Sequence, residues 1–163
     1  MHIKFFRLLE EYKKEITFFA VLFFLDRLLK IYLLNFLLEN QLYSIRLNNF
    51  FEVVLVWNKG ISYGLFPQEN YMGQLIITLV SFIICLWITK FIVSSKVKYR
   101  KITLILILAG ATSNIVDRLM YGAVADFFHF EIASYSWYVF NVADIYIVSG
   151  LIILIYAFIY PNI

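Results

Sequence analysis

YMGQLIITLVSFIICLWITKFIV, residues 71–93, decides the class of fold, because it is apolar along its length and Lys90 is its only charged side chain. As a helix rising about 1.5 Å per residue it would be roughly 34 Å long, enough to cross a hydrocarbon core of about 30 Å. Working outward, apolar runs of similar length lie near residues 16–38, 101–121 and 142–160. With 63% hydrophobic residues in 163 positions, the chain has room for about four spans and short connections, and no second domain. The expectation is an all-α membrane protein, a single domain over 1–163 with four transmembrane helices. Residues 41–57 and 123–140 are rich in β-branched and aromatic side chains and predict short strands in a small β-containing extracytoplasmic region.

Basic residues set the orientation. Lys4, Arg7, Lys13 and Lys14 precede the first run, and Lys90, Lys96, Lys98, Arg100 and Lys101 surround the connection between the second and third. Residues 39–70 hold only Arg46 and Lys59, and residues 122–141 hold no lysine or arginine. The positive-inside bias therefore puts both termini on the cytoplasmic side and the two sparsely basic connections outside. The net charge of +3 needs no nucleic-acid partner, since the basic residues flank apolar runs. The first run is long, contains charges and lacks a small-residue cleavage site, so it reads as a retained span. Cys85 is the single cysteine, and neither an intrachain disulfide nor a cysteine-rich metal site can be built from it.

Charge inside such a chain is costly, about 2.5–3.5 kcal/mol per residue at the centre of a span. Asp26 and Lys30 lie four apart in the first run with Arg27 beside them, so the acid and base share one helix face, either as an internal ion pair or as support for a site. Gly110, Asn114 and Asp117 recur at helical spacing in the third run, with Ser113 and Arg118 adjacent, and form a polar stripe that strengthens towards the outer end. Packing between membrane helices would also explain such a stripe. Asn141 is placed to cap the fourth helix and Asp144 to sit in its first turn, beside the positive end of the dipole. Asp126 lies on the connection between the third and fourth runs, at the same outer surface as Asp144.

Two carboxylates converging there, without a serine-histidine or histidine-cluster motif, fit an aspartyl hydrolase in which the pair shares one proton and activates a water. The helix N-terminus favours charge on Asp144 and leaves the proton on Asp126. His129 and His2 do not form a metal-binding spacing such as HExxH, and no metal or other cofactor is expected. Asn58, Lys59 and Gly60 read as a turn, and Tyr135, Trp137 and Tyr138 as an interfacial aromatic belt. A small ion or proton transporter lined by Asp26, Lys30, Asp117 and the outer acids is the rival reading, and the gathering of the remaining acids at one surface speaks against it.

Five blocks in order then resemble a known family, the lipoprotein signal peptidases (signal peptidase II). They are LDRLLK (25–30), WNKGISYGLF (57–66), AGATSNIVDRL (109–119), GAVADF (122–127) and FNVAD (140–144). The resemblance implies that Asp126 and Asp144 are the catalytic pair, with Asp26, Lys30, Asn58, Gly60, Asn114, Arg118 and Asn141 binding substrate or supporting the site. It implies a bacterial cytoplasmic (inner) membrane enzyme that cuts diacylglyceryl-modified prolipoproteins immediately before the lipidated cysteine and is sensitive to globomycin-type inhibitors. Arg27 stands where the family usually has glutamine, which leaves the pairing of Asp26 and Lys30 open, and Ser113 stands where it usually has glycine. A lipid-anchored peptide also presents its scissile bond at nearly fixed depth, which suits an enzyme whose acids lie at that depth.

Overall fold

A computed structural model describes residues 10–61, 67–132 and 135–160. Lys4 and Arg7, and the part of the WNKGISYGLF block after Ile61, lie outside the described residues. Among the described residues there are four long helices: α1 (Lys13–Glu39), α2 (Tyr71–Ser94), α3 (Lys98–Tyr121) and α4 (Val142–Ile159). Between them run β1 (Ser44–Arg46), β2 (Phe51–Asn58), β3 (Val124–Ile132) and β4 (Tyr135–Ser136). The expected strand stretches are thus real, but they form one four-stranded antiparallel sheet in the order β1-β2-β3-β4, so the fold is mostly helical rather than all-α.

By length and composition, α2, α3 and α4 are each apolar enough to cross a membrane. At 27 residues α1 is the longest helix, but Asp26, Arg27 and Lys30 separate it from the other three in composition. These charges do not face outward. The buried positions of α1 are Leu22, Asp26, Arg27, Lys30, Leu34 and Leu37, one stripe at helical spacing, while Phe24, Leu25, Leu28 and Tyr32 are exposed. Its polar groups therefore meet protein and its exposed face is apolar, the reverse of a helix at a water-facing surface.

The central helix is α3, which touches each of the other three. Its contact with α4 depends on two glycines. A Cβ at Gly110 would run into the Ala143 carbonyl, and one at Gly150 would meet Ile107 and the Thr103 carbonyl at 2.5 and 3.0 Å. Small residues that let backbones approach are the usual means of packing helices in lipid, where burial from water gives no driving force. At one end of the bundle, Lys101 of α3 pairs with Glu15 of α1 at 3.0 Å, and the Tyr12 hydroxyl donates to the Val93 carbonyl of α2. The sheet occupies the other end.

Candidate active site

The polypeptide leaves α3 by a sharp left-handed turn. Gly122, at φ +71°, donates its N–H to the Arg118 carbonyl and delivers the chain into β3. Only glycine adopts that conformation without steric cost, which makes this the common helix stop. Along β3, alternation turns Ala125 and Phe127 towards Leu34, Leu37 and Val53, a second apolar cluster that seats the sheet on α1, so Asp126 points to the opposite face. Opposite it on β2 the register slips: Val53 faces Phe128 whereas Val56 faces Asp126, leaving one extra residue on β2. Such bulges re-aim side chains near functional sites.

The return to α4 is stitched to β3. Phe127 and Phe128 both donate to the Phe140 carbonyl, at 3.0 and 2.8 Å, and Phe140 donates back to Phe128 at 3.0 Å. The next residue, Asn141, caps α4 as expected. Its Oδ1 accepts the Asp144 N–H at 2.9 Å, and the Asp144 carboxylate accepts the Asn141 N–H at 3.1 Å, a reciprocal capping box. Because the cap consumes Oδ1, the amide nitrogen of Asn141 must point the other way, and it donates to Asp126 Oδ1 at 2.6 Å. One buried asparagine thus bridges the two aspartates.

Each remaining carboxylate oxygen has its own amide donor. Asn58 Nδ2 reaches Asp126 Oδ2 at 3.1 Å, and Asn114 Nδ2 reaches Asp144 Oδ1 at 3.0 Å. Asn58 also accepts the Gly60 N–H at 2.9 Å, the side-chain turn anticipated for that block. Arg118 donates to the Gly60 carbonyl at 2.7 Å, so this guanidinium anchors the turn, while its buried Nε has no partner among the described residues. Asp26 and Lys30 do pair, at 3.2 Å, and Lys30 also donates to Asn114 at 2.9 Å. Arg27 answers the open question of pairing by bonding Asp117, which also holds Lys30 at 2.6 Å.

Asp126 is 2% exposed. Burial, reinforced by the negative charge of Asp144, pushes its carboxyl up to about 7 against the opposing effects of Asn58, Asn141 and Lys30. Its ordinary value is 3.8, so between that pH and about 7 the folded chain holds a proton that the unfolded chain has released. The linked stability is full below the lower value and falls as pH rises to the upper one. Thermal unfolding of the parent and of Asp126→Asn is expected to show this loss only in the parent; parallel pH profiles would contradict it.

Two cavities meet at Asn58 and Asp126. One of about 240 Å³ is lined by Asn58, Asp126, Trp137, Phe140, Asp144 and Ile145 and continues along the apolar flank of α4 to Val148. The other, about 560 Å³, runs beside the end of β2 past Trp57, Lys59, Gly60, Glu69 and Tyr138, and it too reaches Asn58 and Asp126. Trp137 and Tyr138, which their type alone assigned to an aromatic belt, therefore line the cavities. Nothing in the local sequence separates them from Tyr135. Asp117 was visible as part of the polar stripe but not as a residue behind the site, and the signal for that role was its position three residues after Asn114.

Comparison with known proteins gives a consistent result. The family model described as signal peptidase (SPase) II matches residues 18–160. A protein named lipoprotein signal peptidase from Rhodopseudomonas palustris (strain TIE-1) is 45% identical over 112 residues, covering 66% of this chain and 68% of that one. A protein of the same name from Beijerinckia indica is 37% identical over 131 residues, covering 80% and 78%. The fold resembles that of a bacterial membrane enzyme solved by the in meso method at 2.3 Å, with TM-score 0.76, 21% identity, and coverage of 91% of this chain and 88% of the other.

Proposed function

Because the chain belongs to the signal peptidase II family, we propose that Asp126 and Asp144 are the two acids with which it hydrolyses the signal-peptide bond. Membership makes it an aspartic-type membrane protease that removes signal peptides from prolipoproteins. The observation that carries the residue assignment is the bridge of Asn141, which holds one oxygen of each carboxylate while both border the same cavity.

Asp144 is the ionised member, supported by the first turn of α4, the Asn141 N–H and the Asn114 amide. It takes a proton from a water held between the carboxyls, and the water oxygen attacks the scissile carbonyl carbon. Asp126 donates its proton to the carbonyl oxygen, giving a neutral tetrahedral intermediate. Collapse breaks the C–N bond, the amine leaving with the proton that Asp144 accepted and the gem-diol returning one to Asp126. All four carboxylate oxygens already accept amide N–H donors, an arrangement suited to proton transfer without a metal.

In this reading α1 is a fourth span, supported by its length, its exposed apolar face and its inward charges. Both termini are cytoplasmic and the sheet lies at the outer face of the bacterial inner membrane. The cavity along α4 takes the lipid-proximal part of a diacylglyceryl-modified substrate, and the site binds globomycin-type inhibitors. Purified protein in detergent should cleave a diacylglyceryl-modified prolipoprotein at least about tenfold faster than the unmodified form, chelator having no effect. Equal rates would remove the lipid from the recognition, and chelator sensitivity would overturn the metal-free mechanism.

A further inference from the structure

The tripeptide Val-Ala-Asp occurs twice, at 124–126 and 142–144, each time ending in a catalytic aspartate. Both alanines are fully buried. The Ala143 N–H, one of the first-turn donors of α4, is accepted by Asp26 Oδ1 at 2.8 Å. The Ala125 N–H on β3 is accepted by Asp117 Oδ2 at 3.4 Å. Two carboxylates from two different helices thus hold the backbone N–H of the residue immediately preceding each catalytic aspartate.

Lys30 ties those carboxylates together. Its ammonium has three donors, and three acceptors surround it: Asp26 Oδ2 at 3.2 Å, Asp117 Oδ2 at 2.6 Å and Asn114 Oδ1 at 2.9 Å. Ser113 adds a 2.5 Å bond to Asp26. Two acids and one lysine would leave a net negative charge buried behind the site. Arg27, bonded to Asp117 on its other oxygen, removes that excess.

We infer that Asp26, Asp117, Lys30 and Arg27 form an electroneutral clamp that sets the spacing of the two catalytic backbones, with Asp117 and Arg27 as positioning residues for the reaction. The inference rests on Asp126 and Asp144 being the catalytic pair. The clamp touches no substrate and acts through the peptide groups of Ala125 and Ala143, and through Asn114 on Asp144. Its neutrality offsets the effect of Lys30 on the proton of Asp126 with that of the clamp's acids. The charged groups around Asp126 are Asp144 from α4, Lys30 from α1, Arg118 from α3, and the Lys59–Glu69 pair across the outer cavity.

The test uses opposite charge errors in the purified full chain. Asp117→Asn leaves the clamp one unit positive, Arg27→Gln leaves it one unit negative, and the double variant is neutral again. Cleavage requires the proton on Asp126, so its rate falls on the alkaline side. That limb should move to lower pH in D117N and to higher pH in R27Q, on the order of half a unit each, and return to the parental position in R27Q/D117N. kcat should fall while KM stays within about twofold, because the clamp does not contact substrate. The limb position does not depend on how much protein is folded, so a stability defect cannot imitate the opposite shifts. If D117N proves inactive, R27Q against the double variant carries the same comparison. Limbs that stay in place or move in one direction, or a double variant less active than both singles, overturn the clamp. D126N or D144N retaining activity would instead overturn the catalytic assignment.

Discussion

Asp126→Asn and Asp144→Asn should each lower the rate of prolipoprotein cleavage by about 10²–10⁴-fold, the range spanned by losing a positioned acid or base. Neither should behave as a folding mutant. Asparagine at 126 reproduces the neutral carboxyl that burial already favours, and one of its neighbouring amides, from Asn58 or Asn141, must reorient to keep a partner. The variant should therefore melt at or above the parental temperature near neutral pH, where the parent begins to bury a charge. At 144 the substitution removes a charge from the first turn of α4 but leaves an acceptor for the capping box, a loss of about 0.3–1 kcal/mol. Activity above about one tenth of the parent in either variant, measured on protein of parental melting behaviour, would remove that residue from the chemistry.

Lys30→Met should have the largest effect on stability. The residue is 1% exposed, and removal of its ammonium strands Asp26 against Ser113 and the Ala143 N–H while Asp117 keeps only Arg27 and the Ala125 N–H. Breaking a buried ion pair by deleting one partner costs about 3–5 kcal/mol, because the other charge stays buried without compensation. The double variant Asp26→Asn with Lys30→Met removes both charges and should recover most of that loss while remaining slow, since Asn114 keeps only the 3.3 Å bond from Asn141 to turn its amide towards Asp144. Thermal unfolding in detergent distinguishes the two variants. A single variant within about 1 kcal/mol of the parent would mean that the clamp does not support the fold.

What could be read from the sequence followed the cost of charge. Asp126, Asp144, Asn141 and the Asp26–Lys30 pair stood out because a chain this apolar has few reasons to carry them, and helical spacing fixed their faces. The cap of α4 by Asn141 was legible as well, whereas the return bond from the Asn141 N–H to Asp144 was not. The partner of Arg27 was not, because Asp117 is 90 residues away and only the packing of α1 on α3 brings them together. The β2 bulge, which shifts β2 by one residue against β3 opposite Asp126, carries no residue signature in FEVVLVWN. Nor could composition tell that Trp137, itself 61% exposed, borders a cavity at the aspartates. Local chemistry was visible and long-range register was not. The transporter reading loses its basis in the same packing, since Asp26 and Asp117 are fully engaged in bonds rather than strung along an open path.

The cavity that follows the apolar flank of α4 has a kinetic meaning. Its lining from Asp144 to Val148 belongs to a helix whose outward-facing residues, Ile152 and Ile155 among them, are apolar and exposed. A lipid-anchored substrate that enters along this helix, as proposed above, would reach the acids without crossing bulk water, by diffusion in a plane. The quantity that governs encounter is then the number of prolipoproteins per unit area of bilayer, and the enzyme works at a surface density rather than a molarity.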